Sequence, residues 1–454
     1  MMEVQERDVE FLETDNASPS VPGTIFCNGS TIFILVLIAF VVRLSFLFLL
    51  RTYQFGRMDD SCISGETTNI AMSIVGGHGF HSPFNGDDTG PTSWIAPAYP
   101  YFVALVFRFF GLLTKPSIII IFVAQSMFSA FTVIPILGIA KRTVGRSAGF
   151  WAAWMWCVFP WFSKWSVTWL WEISLSALLS SLLLWCALAL PESRSRKSWL
   201  GFGALCGFTL LVNPALSTFV LVSLAWCGYG LYRRDKYRNK SWVTPIALAA
   251  LACIAVISPW LIRNRAVFGE WVFLRSNFGF EFALGNYHSS LGRGWGGTHP
   301  SGNQKEFKKY WQMGEVAYIR DRQQQAIDFV KNSPMEFWAL TARRVVYFWD
   351  GSAMNYFTPI SWYWVPSSFL IVSFLLLPAL FVARRNLLHG WQLFYGILLL
   401  YPVPYYFTYS QVRYRHVLEP IILLLICYAG VEAGKTLCSA WGSIYRSVKE
   451  NTLP

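Results

Sequence analysis

The chain has 454 residues, of which 54% are hydrophobic, 17% aromatic and only 14% charged. A soluble domain carries about 25% charged residues, so this composition excludes an ordinary water-soluble protein and reads as a polytopic membrane protein. The net charge of +12 does not argue for nucleic acid, because the basic residues sit in short clusters between apolar runs, as in cytoplasmic loops. Anionic lipid headgroups are the partner they suit.

Residues 1–30 are polar and acidic; they lack the pattern of a cleavable signal peptide and are expected to form a cytoplasmic tail. The first apolar run, 31–50, is long enough to span, since a spanning helix needs about 20 apolar residues. Further candidate spans are 118–140, 147–163, 172–190, 199–213, 214–232, 242–263, 362–383, 391–407 and 416–433, several of them short or broken at Pro160, Pro214, Pro402 or Pro404. Direction follows from four basic clusters: Lys141-Arg142 with Arg146; Arg194, Arg196 and Lys197; Arg233-Arg234 with Lys236, Arg238 and Lys240; and Arg384-Arg385. Short basic loops stay inside, which leaves 164–171, 264–361 and 408–415 outside. With 51 and 118 then both outside, 97–114 cannot span. Its Arg108, leading prolines and aromatics suit an interfacial helix; the alternative is that it spans and another segment is misjudged. The expectation is an all-α polytopic membrane protein with about ten spans. A transmembrane catalytic module, 31–263, includes the external loop 51–117. An external segment, 264–361, follows, then C-terminal transmembrane helices, 362–433, and a cytoplasmic tail, 434–454.

The first external loop gathers Asp59, Asp60, Glu66, His78, His81, Asp87 and Asp88, and its Gly-Gly-His-Gly and Ser-Pro turns fold it compactly. Glu66 opens a short helical stretch, where an acid complements the helix dipole. Partly desolvated at the membrane surface, it could also take a proton from a hydroxyl as a general base. Asp59 and Asp60 are equally available, or form a solvated acidic turn. Glu172 begins a span beside Trp165, Trp169 and Trp171, where an acid usually has a partner or a role. Arg413-Tyr-Arg415-His416 opens the last span, with Glu419 following. These arginines could clamp a phosphate, which guanidinium grips in a bidentate way, or anchor the interface with an internal Arg–Glu pair. Asn213-Pro214 reads as a turn; Asn277–Asn286 reads as cleft or turn. Most cysteines lie within apolar runs as small buried hydrophobes, and no Cys or His cluster has zinc spacing. No phosphate-binding loop, dinucleotide fingerprint, zinc-protease motif or nucleophile elbow is present.

The order of an apolar span, an acidic external loop, "NIAMSIVGGHGF" and "PTSWIAPAYPYFVALVFRFFG" resembles the GT-C superfamily of membrane glycosyltransferases. Its bacterial relatives of protein O-mannosyltransferases and of aminoarabinose transferases are the nearest branch. Pro97-Ala-Tyr-Pro100 stands where that group begins a horizontal helix, Glu172 where it has a second external acid, and Arg413-Tyr-Arg415 where it has a late basic segment. The group commonly shows an adjacent Asp-Glu; here the nearest pair is Asp59-Asp60, which leaves the base open between Glu66, the first choice, and Asp60, the second. The resemblance implies an inverting transferase in a bacterial inner membrane. It would move a sugar from a polyprenyl-phosphate donor to an unspecified acceptor hydroxyl on the non-cytoplasmic side, with no certain cofactor, although an acidic pair could hold a divalent cation. A flippase or transporter of lipid-linked sugars is the alternative, and a non-catalytic envelope scaffold a third reading. A transporter calls for polar residues through mid-membrane, and only Asn213 and Gln125 stand out.

Overall fold

A computed structural model describes residues 29–54, 65–84, 88–193, 195–234, 242–290, 292, 297–351 and 364–451. Among the described residues the chain is helical, with one isolated bridge between His81 and Pro91. Helix α1 (Gly29–Leu50) leads into α2 (Glu66–Val75) and α3 (Ala98–Phe110). A nearly continuous rod follows, α4 (Lys115–Phe131) and α5 (Val133–Arg142), jointed at Thr132 ahead of Pro135. The next rod, α6 (Arg146–Val158) and α7 (Pro160–Thr168), breaks at Phe159. There Pro160 takes the first helical position and holds Phe159 extended. Then come α8 (Ile173–Ala189), α9 (Arg196–Val212), α10 (Ser217–Arg234) and α11 (Val243–Phe268).

Four helices that are not candidate spans follow: α12 (Phe278–Gly285), α13 (Gln304–Met313), α14 (Glu315–Asn332) and α15 (Pro334–Asp350). The chain closes with α16 (Trp364–Arg385), α17 (Trp391–Leu400), α18 (Val403–Phe407) and α19 (Glu419–Asn451), the last preceded by a 3-10 turn, Val412–Leu418. Among the described residues, seven helices or helix pairs are long and apolar enough to cross a membrane. The other three expected spans are the Pro160-broken rod, the 17-residue α9, and α17 with α18, parted by Pro402. The chain is therefore a multi-pass integral membrane protein. Helix α3, with 13 residues, is about 20 Å long, too short for a hydrocarbon core of about 30 Å. It packs on α2, α4 and the end of α1 around Leu47, Ala71, Tyr99, Phe107 and Ile118.

Close packing within the bundle relies on small residues. A side chain at Gly203 would strike the Ala249 carbonyl, and one at Gly207 would lie 2.8 Å from the Cys253 carbonyl. The two glycines are four apart on α9 and let α11 lie against it, the small-xxx-small arrangement of membrane helices.

The helix ends sort into two poles. At one, Arg142 pairs with Glu192 at 3.0 Å, Arg234 donates to the Pro191 carbonyl at 3.0 Å, and Gly390 abuts Leu188 and Thr143. The described parts of the basic clusters therefore share one end of the bundle. At the other, α2 and α3 meet the segment α12 to α15. Arg263 at the end of α11 donates to the carbonyls of Thr92 (2.7 Å) and Phe80 (2.9 Å). Asn264 reaches Ser93 Oγ and the carbonyls of Val272 and Phe273. Buried Glu315 accepts from the Ser93 N–H (2.8 Å), the Tyr310 hydroxyl (2.9 Å) and the Thr92 hydroxyl. Burial raises the Glu315 pKa, and these hydrogen bonds oppose that rise. The first loop and the later segment thus form one body.

Candidate active site

Helix α2 starts at Gly65, whose carbonyl receives the Thr68 and Asn69 N–H groups. This places Glu66 in the first turn. One turn on, Asn69 donates its amide to the Pro83 carbonyl at 3.1 Å and fixes the returning loop. The Glu66 Oε1 atom meets His299 Nε2 at 3.2 Å. That histidine lies in the Gly297–Gly302 turn ahead of α13, with the rings of Phe84, Trp94 and Phe280 edge-on around it. Its side chain is 8% exposed, while that of Glu66 keeps 26%. Burial alone would raise the Glu66 pKa. The His299 hydrogen bond, the backbone N–H and the Arg413 charge oppose burial, and the carboxyl lies below its usual range.

Glu172 occupies the N-cap position of α8. The tight turn before it is fastened by Gln125, whose amide donates to the carbonyls of Ser166 (3.0 Å) and Trp169 (2.9 Å) and which accepts from the Tyr99 hydroxyl. The turn presents Trp171, stacked on Trp169 at 4.6 Å, beside Gly65. The Arg413 guanidinium lies 3.9 Å from the Trp171 ring centre, a contact worth about 0.5–2 kcal/mol. Glu66 and Glu172 are both near enough to Arg413 to act on it electrostatically. Arg413 also reaches the Tyr414 hydroxyl at 3.5 Å, and Tyr414 donates to Tyr409 at 2.7 Å. Its buried Nε has no hydrogen-bond partner among the described residues. Residues 407–409 are themselves clamped by α12 and α15. Asn286 donates to the Phe407 carbonyl at 2.7 Å, and buried Arg344 bonds the carbonyls of Phe407, Tyr406 and Gly285.

The structure thus brings together Glu66, Glu172 and Arg413. Arg415, read with Arg413 as one clamp, goes elsewhere. Fully buried, it pairs with Glu419 at 2.8 Å and donates to the Trp349 carbonyl and Ser373. The cause is local: a 3-10 turn has about three residues per turn, so positions two apart face different ways. Asp59, Asp60 and Cys62 lie outside the described residues, as does Asp87. Asp88 accepts from Ser82 (2.8 Å) and the Gly90 N–H (2.9 Å) and faces His81, building the loop's own turn. Asn213 accepts from the Ala215 N–H and donates to Ser176, so it forms the expected turn at this pole. A cavity of about 380 Å³ opens beside α2 between Asn69, Ser73, His78, Ser82, Phe84 and Asp88. Among the described residues no three His, Cys, Asp or Glu side chains gather to hold a metal. His299 was not singled out in the sequence. Its only signal was a histidine in a Gly-Gly-Thr-His-Pro turn between apolar stretches.

These features define a multi-pass helical membrane protein with a charged, aromatic-walled site at one pole. Residues 95–262, well under half of the chain, match the family model described as dolichyl-phosphate-mannose-protein mannosyltransferase. That stretch includes Glu172 but not Glu66, His299 or Arg413. The fold is similar to the Archaeoglobus fulgidus oligosaccharyltransferase solved with a disulfide-tethered acceptor peptide containing the NVT sequon. The likeness covers 93% of this chain at 12% identity and a TM-score of 0.51. This chain spans 51% of that one's length. A looser likeness, with a TM-score of 0.38 and 14% identity over 89% of this chain and 78% of the other, is to Cupriavidus metallidurans ArnT bound to undecaprenyl phosphate. No curated protein matches the sequence. The matched family model and the fold matched at a TM-score of 0.51 are both of GT-C membrane glycosyltransferases, the group the sequence resembles.

Proposed function

We propose that the chain is an inverting glycosyltransferase that moves a sugar from a polyprenyl-phosphate donor to an acceptor hydroxyl at the non-cytoplasmic face. The observation that carries this is Arg413, flanked by two carboxylates, with an unpartnered guanidinium nitrogen at the end of a spanning segment. A donor with a lipid tail keeps the tail in the bilayer and offers its phosphate at that depth. The description of the matched family names dolichyl-phosphate-mannose, a donor of this chemistry. The sequence has no nucleotide-binding motif, and a lipid donor needs none.

In this reading Glu66 takes the acceptor hydroxyl's proton as the oxygen attacks the anomeric carbon. The bond from that carbon to the phosphate oxygen breaks on the opposite side, so configuration inverts. Negative charge grows on the leaving phosphate, and Arg413 stabilises it there. Glu172 and Trp171 hold the guanidinium in place. The gathering of basic residues at the opposite pole supports an outward site, because short basic loops stay in the cytoplasm. The domain division read from the sequence is proposed on the same ground. Gln125 and Asn213, the polar residues that could have suited a transporter, are both committed to turns at the site's own pole.

The test is transfer by purified protein from a radiolabelled polyprenyl-phosphate sugar to membrane-extract acceptors. Glu66→Gln should lose about 100- to 10,000-fold in rate, the usual contribution of a general base. Undiminished transfer in this variant would falsify the assignment.

A further inference from the structure

We infer that His299 is a positioning residue for Glu66, a fixed neutral donor that orients the carboxylate and does not relay its proton. The inference rests on the reading of Glu66 as the base. Its ground is a pair of contacts made by the ring nitrogens. The Ser301 N–H points at Nδ1 from 3.2 Å. A backbone N–H can only donate, so Nδ1 must present its lone pair, and the proton of the neutral ring is on Nε2. Nε2 is the atom that faces Glu66 Oε1 at 3.2 Å. Protonating Nδ1 would set two N–H groups against each other inside a cage of Phe84, Trp94 and Phe280. A shuttle needs both ring nitrogens to exchange protons, and here one is occupied.

The consequence is geometric. The hydrogen bond engages Oε1 and fixes the carboxylate plane, leaving Oε2 to meet the acceptor hydroxyl. The turn that carries His299 belongs to the segment between α12 and α13, whereas Glu66 belongs to the first loop. The base is therefore aligned only when these two segments are docked. The Arg413 guanidinium is the charge that faces Glu66, with Glu172 beyond it. Tyr310 packs on Phe84 and Trp94 and is bonded to Glu315; burial raises the pKa of both.

Two measurements on the full-length protein decide the matter. In the transfer assay, His299→Ala should lose about 10- to 100-fold, the effect of one charge-assisted hydrogen bond. Its acid limb should move to higher pH, because the carboxylate loses a donor that favours its charged form. His299→Gln, whose amide nitrogen can occupy the place of Nε2, should recover most of the rate and the wild-type limb. A relay predicts instead that Gln is as poor as Ala, and that result overturns the inference. So does an Ala variant with an unmoved limb. The second measurement needs no active variant. The sequence has six histidines, so ring nitrogen-15 NMR of the wild type can identify the signal that shifts in Glu66→Gln. A neutral ring protonated on Nε2 supports the clamp; the other tautomer, or a doubly protonated ring at neutral pH, refutes it. Full transfer in Glu66→Gln would instead remove the base assignment itself, leaving the two failures distinguishable.

Discussion

Arg413 and Arg415 differ by two positions and by nearly everything else. Arg413 is partly buried over Trp171, with its Nε unpartnered among the described residues; Arg415 is fully buried against Glu419. The first is therefore expected to act on a ligand and the second on the fold. Arg413→Lys keeps the charge but loses the planar stack on Trp171 and the forked donors. It should weaken donor use by about tenfold or more, read as the donor concentration dependence of transfer, with the thermal midpoint in detergent unchanged. Arg415→Met leaves Glu419 buried without its partner, a loss that typically costs about 3–5 kcal/mol. Its thermal midpoint should fall, and adding Glu419→Met should restore much of it. The pH response of Glu66 has a defined sign. A carboxylate whose folded pKa is depressed contributes stability above its unfolded value of 4.5 and loses that contribution as pH falls through the folded value. Thermal midpoints measured from pH 6 downward should therefore fall less steeply in Glu66→Gln than in the wild type.

The spanning helices were legible because bilayer thickness sets a length that apolar runs must meet, and the prolines at 160 and 402 mark breaks that backbone chemistry requires. The 97–114 segment could be set aside by charge parity, and α3 is indeed too short to cross. What could not be read was the pairing between distant turns. Glu66, Glu172 and Arg413 stood out one by one, as charges at the ends of apolar runs. His299 had no such context, since its contact with Glu66 exists only after α12 to α15 dock on the first loop. Reading Arg413 and Arg415 as one clamp suits only an extended backbone, because in any helical turn positions two apart face different ways. The α9–α11 contact offers a test of helix packing. Gly207→Leu forces a side chain against Cys253 and Val256, whereas Gly201, with nothing within 4 Å, faces open space. The first substitution should cost about 1–3 kcal/mol or more, seen as a lower thermal midpoint or poor recovery from detergent; Gly201→Leu should be silent.

The short basic hairpin ends share one pole; the candidate site and the longer segment α12 to α15, which carries both signs of charge, share the other. Such an arrangement fixes orientation during insertion, and under the proposed function it turns the site away from the cytoplasm. In intact spheroplasts, a membrane-impermeant maleimide should label a cysteine introduced at the exposed Ser289 and spare the exposed Cys438, with Cys62 replaced by Ser. The reverse pattern would put the site in the cytoplasm. The most direct test of the account is a structure of the full chain with a polyprenyl phosphate bound. The phosphate should lie within hydrogen-bond reach of Arg413, with Glu66 on the far side of the position left for the sugar. A phosphate held at the basic pole, or beside Arg413 with Glu66 turned away from it, would contradict the proposed chemistry.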